Sequence, residues 1–230
     1  MGHVGLEEAS RLLARNGWLT QTPAPFRERI LGASRLLHFE RRQTIYDVGD
    51  PPRGAFGVAT GAVNVEIALN SGGTHTAYVG THGFWIGETA MVKNRPHVVS
   101  LVAARPCTVL HLSTEAFEEI AAEDPTAWRW IALLTAQLLD SALQFIEDMM
   151  IPSSRERVVA ILLSLSGCRD LATDNDLRAI DLTHEEVGRL TNLSRSRLAT
   201  ILRDLRDDGL IDCSYRTIRI LEPSRLRECL

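Results

Sequence analysis

The sequence predicts an α+β protein: an N-terminal antiparallel β-roll (jelly roll), a long dimerisation helix, and a C-terminal winged helix-turn-helix. Three observations carry this prediction. Residues 37–112 are rich in Val, Thr and Gly and are cut at short intervals by turn signals. Residues 126–150 hold two apolar stripes at helical spacing. Residues 183–208 hold a capping box, a turn asparagine and a second helix with an arginine-rich face.

The bulk composition is that of a folded chain. Hydrophobic residues make up 45% of the 230 and charged residues 23%, which excludes a disordered polyelectrolyte. The formal net charge is −4, so any nucleic-acid site must be locally basic. The cysteines Cys107, Cys168, Cys213 and Cys229 are widely separated, which argues against a disulfide framework or structural zinc. Residues 1–10 carry acids and no apolar run, and no segment approaches the ~20 apolar residues of a membrane span. A soluble, cytoplasmic protein without a membrane partner is expected.

Along the chain, Leu6 to Asn16 reads as a short helix ended by Gly17, and Phe26 to Leu36 as a second helix after Pro23 and Pro25. The turn signals of the β segment are Val48–Pro51, Ala59–Gly61, Asn70–Gly73 and Thr81–Gly83. Alternating runs such as Ala62–Ile67 lie between them, the pattern of short strands in a jelly roll. Asn70–Gly73 is the expected hairpin tip. Ser113 is an expected helix cap. Asp124-Pro125 then opens a helix from Thr126 to Met150, about 37 Å long. One of its stripes is Ile131, Leu134, Leu138 and Phe145; the other is Leu139, Ala142, Ile146 and Met150. Two apolar stripes need two surfaces, which the sheet domain and a second subunit would supply. The first stripe is assigned here to the dimer interface. Ile151–Ser154 is the expected hinge, followed by a helix from Arg155 to Ser166. The domains are therefore placed at 1–150, an effector-sensing roll with its dimerisation helix (about 125–150), and 151–230, a winged helix-turn-helix.

Thr183 and Glu186 form a capping box, Val187 and Leu190 point inward, and Gly188 leaves room for a close helix. Asn192 sits where the turn needs a left-handed residue, and Ser194 caps the next helix. That helix turns Leu198, Ile201, Leu202 and Leu205 inward and Arg195, Ser196, Arg197, Thr200, Arg203 and Arg206 outward. Between Ser194 and Arg206 four Arg face one Asp, Asp204, so the helix is basic although the chain is not. Its first turns would enter the major groove of double-stranded DNA, where Arg forks onto guanine O6 and N7 or onto phosphate. Gly209 ends the helix, and Leu210–Ser214 with Thr217–Leu221 reads as a wing that brings Arg216 and Arg219 near the backbone.

Residues 182–198 (LTHEEVGRLTNLSRSRL) and Leu202 to Ile211 resemble the helix-turn-helix of the catabolite activator / fumarate–nitrate reduction regulator (CRP/FNR) superfamily. The resemblance extends over most of the chain, with Gly49, Gly61, Gly87-Glu88 and Cys107–Leu110 at the places of the family's β-roll landmarks. It implies a sequence-specific regulator, acting as a homodimer on a palindromic operator, with RNA polymerase as a partner. It places Arg195 as the base-contacting arginine and Thr183, Ser194, Ser196, Arg197, Thr200, Arg203 and Arg216 as further DNA-binding residues. Members that read TGTGA or TTGAT half-sites carry Glu directly after the Ser-Arg and often Arg four residues later. Ser196 and Thr200 stand there instead, so a different half-site is expected.

In the family's cyclic-nucleotide binders Gly-Glu takes the ribose, and Arg-Ser or Arg-Thr about ten residues on takes the phosphate. Gly87-Glu88 is present, but His97-Val98 replaces the Arg-Ser. Ala142-Leu143 replaces the Thr-Ser that meets the adenine. The effector-site residues assigned here are Gly87, Glu88, Thr89, Arg95, His97 and Ala142, with a small molecule other than cAMP as the expected ligand. The alternative is a cAMP-dependent regulator. No cysteine precedes Cys107, which argues against the family's iron–sulfur cluster. A remote alternative is a cupin-like metal enzyme, but His75 is followed by Thr76-Ala77 and the His-x-His pair is missing. No catalytic residue and no metal ligand is assigned.

Overall fold

The structure is a computed structural model describing residues 4–70, 72–166, 168–169, 179–180, 182–214 and 217–230. It divides into two compact units, Met1–Asp140 and Ser141–Leu230.

In the first unit, α1 (Leu6–Ala14) is followed by a 3-10 turn at Trp18–Gln21 and by α2 (Ala24–Ala33). Helix α2 stops earlier than expected. Leu36 belongs instead to β1 (Arg35–Phe39), with no Gly or Pro between them to mark the change. Seven more strands follow: β2 (Thr44–Tyr46), β3 (Ala55–Thr60), β4 (Val63–Ala68), β5 (Thr74–Gly80), β6 (Trp85–Ile86), β7 (Ser100–Ala103) and β8 (Cys107–Leu112). They form two four-stranded antiparallel sheets of order β1-β8-β3-β6 and β2-β7-β4-β5. Strand β8 shows why the sheets have two different cores. Cys107 and Val109 join Ile45, Phe56, Val63 and Leu101 in one cluster. Leu110 and Leu112, one pleat away, join Leu13, Trp18, Phe26 and Ile30 in the other, beneath the helices.

Between β6 and β7 lies the short helix α3 (Glu88–Lys93). After β8 come α4 (Thr114–Glu123), capped by Ser113 accepting from Ala116 N at 3.2 Å, and α5 (Ala127–Met150). The side chain of Asp124 accepts from Thr126 N at 3.0 Å and fixes the chain just before α5. Within the first unit, α5 contributes Ala127, Ile131 and Leu134 to the helical core.

The second unit holds α6 (Ser154–Ser166), β9 (Ala179–Ile180), α7 (His184–Thr191), α8 (Arg195–Asp207), β10 (Ile211–Ser214), β11 (Thr217–Ile220) and α9 (Pro223–Arg227). Its sheet runs β10-β11-β9, so the expected two-stranded wing gains a third strand from upstream. Helix α6 is buried along most of its length, including Val158, Val159, Leu162 and Leu163. Such a helix is the centre of a small core, with α7, α8 and α9 against it. No helix among the described residues is long and apolar enough to cross a membrane.

The structure corrects the expected dimer stripe. Ile131 and Leu134 are sealed in the core of their own protomer, Leu138 packs against that core, and Phe145 is half-buried. Side chains already covered by their own chain are not offered to a partner. The outward face of α5 is Ala132, Ala136, Leu139, Leu143, Ile146 and Met150.

Candidate nucleic-acid interface

Three local devices fix the geometry of α7 and α8. Thr183 Oγ1 accepts from Glu186 N at 3.2 Å while the Glu186 carboxylate accepts from Thr183 N at 2.7 Å, a complete capping box. The Thr183 hydroxyl also donates to Glu186 at 2.8 Å, so it serves the cap first. Asn192 closes α7 in the left-handed region, at φ 54° and ψ 45°. Ser194 Oγ accepts from Arg197 N at 3.3 Å and starts α8. A Cβ at Gly188 would lie 3.3 Å from Leu193 O, so the turn passes close over that residue.

Helix α8 buries Leu198, Ile201, Leu202 and Leu205 and leaves Arg195, Ser196, Arg197, Thr200, Arg203 and Arg206 exposed. The predicted face is thus assembled on one helix. The Thr200 hydroxyl donates back to Ser196 O at 3.1 Å, and the Ser194 and Ser196 hydroxyls are 3.2 Å apart. Arg206 meets its neighbour Asp207 at 3.4 Å. Arg216 lies outside the described residues.

Three supports escaped the sequence reading because they join distant segments. Arg155 of α6 pairs with Asp208 at the end of α8 at 2.8 Å. Arg157 donates to Ile151 O at 2.8 Å and to Thr191 O at 3.2 Å, tying α6 to the turn. Glu185 faces Arg189 at 3.7 Å and Arg195 at 3.3 Å.

The effector-site residues are brought together only in part. Gly87 takes φ 107°, a conformation that suits glycine, and its Cβ would strike Gly54 O at 2.5 Å. That backbone turns Glu88 fully inward. Glu88 Oε1 accepts from Thr89 Oγ1 at 2.8 Å and from Thr135 Oγ1 of α5 at 3.2 Å. Glu88 Oε2 has no hydrogen-bond partner among the described residues. Burial raises the carboxyl above its ordinary range, against those hydroxyls, which lower it. His97 is buried and stacks on Tyr46 with ring centroids 3.8 Å apart. Burial lowers the imidazole, Asp50 raises it and Arg53 lowers it further. Tyr46, which the sequence reading missed, is raised by burial and then by the charge of Glu88. Tyr46 Oη and His97 Nε2, like Glu88 Oε2, lack partners among the described residues. Arg95 is exposed and does not add to this cluster, and Ala142 is exposed on the part of α5 that falls in the second unit.

A cyclic phosphate needs a matched cation where it is buried. Around Glu88 stand two threonine hydroxyls and a phenol, and no ion pair reaches it among the described residues. Nor does any group of three His, Cys, Asp or Glu among the described residues gather as a metal site.

Residues 36–124 match the cyclic nucleotide-binding domain and residues 156–229 match the Crp-like helix-turn-helix domain. The transcriptional regulatory protein btr of Bordetella pertussis is 21% identical over 84% of this chain and 80% of its own. The cAMP-activated global transcriptional regulator CRP of Escherichia coli O6:H1 is 23% identical over 84% of this chain and 93% of its own. Among solved structures, FixK2 from Bradyrhizobium japonicum shares the fold, with a TM-score of 0.73 at 20% identity over 85% of this chain and 96% of its own.

Proposed function

The chain belongs to the CRP/FNR superfamily of DNA-binding transcription regulators, and from that premise we propose that it acts as a homodimer reading a palindromic operator through α8. It is a regulator and not an enzyme. The observation that carries the reading is the exposed, locally basic face of α8 over an apolar underside. Two such helices, one per protomer, suit half-sites one helical turn apart, about 34–36 Å. RNA polymerase is the further partner expected of a regulator of this family.

The test is selection of bound duplexes from a random pool by the purified protein, with and without cAMP. Enrichment of a palindrome supports the reading; a protein whose affinity for duplex DNA does not fall as salt rises removes it. Arg195 is the proposed base reader, with Ser196 and Thr200 shaping the contact. Arg195→Ala is expected to cost about 1–3 kcal/mol and to relax one base position, measured by fluorescence anisotropy on single-base operator variants. Equal losses on every variant would reassign Arg195 to a phosphate.

The cyclic nucleotide-binding roll implies a small-molecule effector, and we place cAMP outside its range. The support is chemical: His97 stands in the phosphate partner's place, and Glu88 has hydroxyl neighbours and no ion pair among the described residues. cAMP at millimolar concentration is expected to leave operator affinity unchanged and to give no saturable heat in calorimetry. Saturable binding with a tighter operator complex would restore the cAMP-dependent alternative.

A further inference from the structure

Arg195 is the first residue of α8, where the helix terminus already carries partial positive charge. A guanidinium at that point is electrostatically disfavoured, and its side chain is 81% exposed, so only a specific partner would orient it. Glu185 is that partner. It lies in the first turn of α7, where negative charge is favoured. Its Oε2 is 3.3 Å from Arg195 Nη2, and its Oε1 is 3.7 Å from Arg189 Nη2, four residues along its own helix. One carboxylate therefore spans the turn, steadied by Arg189 on α7 and reaching the first residue of α8.

The guanidinium has donors to spare for this. It carries five N–H groups, and a fork on guanine uses two. Glu185 can hold one edge of Arg195 while another faces a base, and so reduce the rotamer freedom that Arg195 would lose on binding. The same carboxylate, set beside a phosphate backbone, opposes binding to any DNA. Its two effects have opposite signs: it weakens binding to all sequences and sharpens the choice at one base pair.

We propose that Glu185 is a positioning residue for base readout, acting through Arg195. This rests on the reading of α8 as the recognition helix. The test uses the full-length protein and three duplexes: the selected operator, the operator changed at the base pair that Arg195→Ala relaxes, and a scrambled duplex. Glu185→Gln is expected to bind the scrambled duplex about twofold tighter or more, with the larger gain at low salt. It is also expected to lose about twofold to fivefold of the preference for the operator over its single-base variant, the range an exposed ion pair supports. In an Arg195→Ala background Glu185→Gln should still strengthen scrambled binding but leave base preference unchanged. Glu185 is itself half-exposed, so the substitution should leave the melting temperature in place. Equal changes on operator and single-base variant would overturn the proposal, and so would the same loss of preference with and without Arg195. Wild-type protein whose affinity for duplex DNA does not fall as salt rises would instead overturn the recognition-helix reading, and this proposal with it.

Discussion

Leu143→Glu is expected to convert the protein from dimer to monomer and to lower operator affinity by a factor of about 10²–10⁴. The outward residues of α5, from Ala132 and Ala136 to Leu139, Leu143, Ile146 and Met150, alternate in steps of four and three. That is the a/d repeat of a two-stranded coiled coil, and a second copy carries the same seam. Leu143 is 56% exposed and Met150 77% in the single chain. Each large side chain that such a seam buries adds about 1.5–3 kcal/mol to association. A glutamate at position 143 would face its own copy, placing two like charges in the driest part of the seam. In the monomer the site is open to water, so the fold should be little affected. Sedimentation measures the assembly, anisotropy the affinity, and a thermal melt checks the fold. The affinity loss follows because a monomer grips one half-site, whereas a dimer's second contact is intramolecular. Leu134→Ala is the contrasting substitution. It should cost about 2–5 kcal/mol of stability, because Leu134 lies in the protomer's own core, without dissolving the dimer. A Leu143→Glu protein that stays dimeric would take the seam away from α5.

The winged helix was legible in the sequence because its determinants are local. A capping box, a left-handed asparagine and a serine cap each act within four residues, and all three stand where the spacing placed them. The β-roll was legible as a class but not as a topology. Strand β8 pairs with both β1 and β3, so Val109 lies opposite Leu37 and also opposite Val58, pairings that no short-range pattern encodes. The end of α2 was misplaced for a related reason. The nearby glycine, Gly32, lies inside α2 and does not mark its end, and pairing with β8 makes Arg35–Phe39 a strand. On α5 the periodicity gave two stripes but not their assignment. Only the helical core, with Leu13, Phe117 and Ile120, shows which stripe its own protomer consumes. The candidate sites follow the same division. Arg195 and its exposed neighbours were read from one helix. Glu185, Arg155 and Arg157 act across elements, and Tyr46 of β2 meets His97 of the loop before β7, so their roles needed the fold.

Arg169→Ala is expected to destabilise the second unit by about 3–5 kcal/mol, more than Asp148→Ala does. Asp148, in the last turn of α5, has a side chain 1% exposed; Arg169, beyond α6, is 24% exposed and approaches it to 2.6 Å. The pair ties the end of α5 to the segment after α6, with Ser164 and Gln144 at 3.4 Å from the same carboxylate. Its two halves are not equivalent. Removing Arg169 leaves a carboxylate shut away from water with two long, neutral hydrogen bonds, which do not replace a guanidinium. Removing Asp148 leaves a guanidinium on a flexible stem that can turn outward and regain solvent. The double substitution should be less harmful than Arg169→Ala alone, because it leaves no buried charge behind. Urea denaturation of the full chain, followed by circular dichroism, ranks the three variants. If Asp148→Ala proved the more damaging single change, the carboxylate's cost would lie in lost packing at the end of α5 rather than in stranded charge. If both singles stayed within about 0.5 kcal/mol of wild type, the pair would rank with surface ion pairs despite its burial.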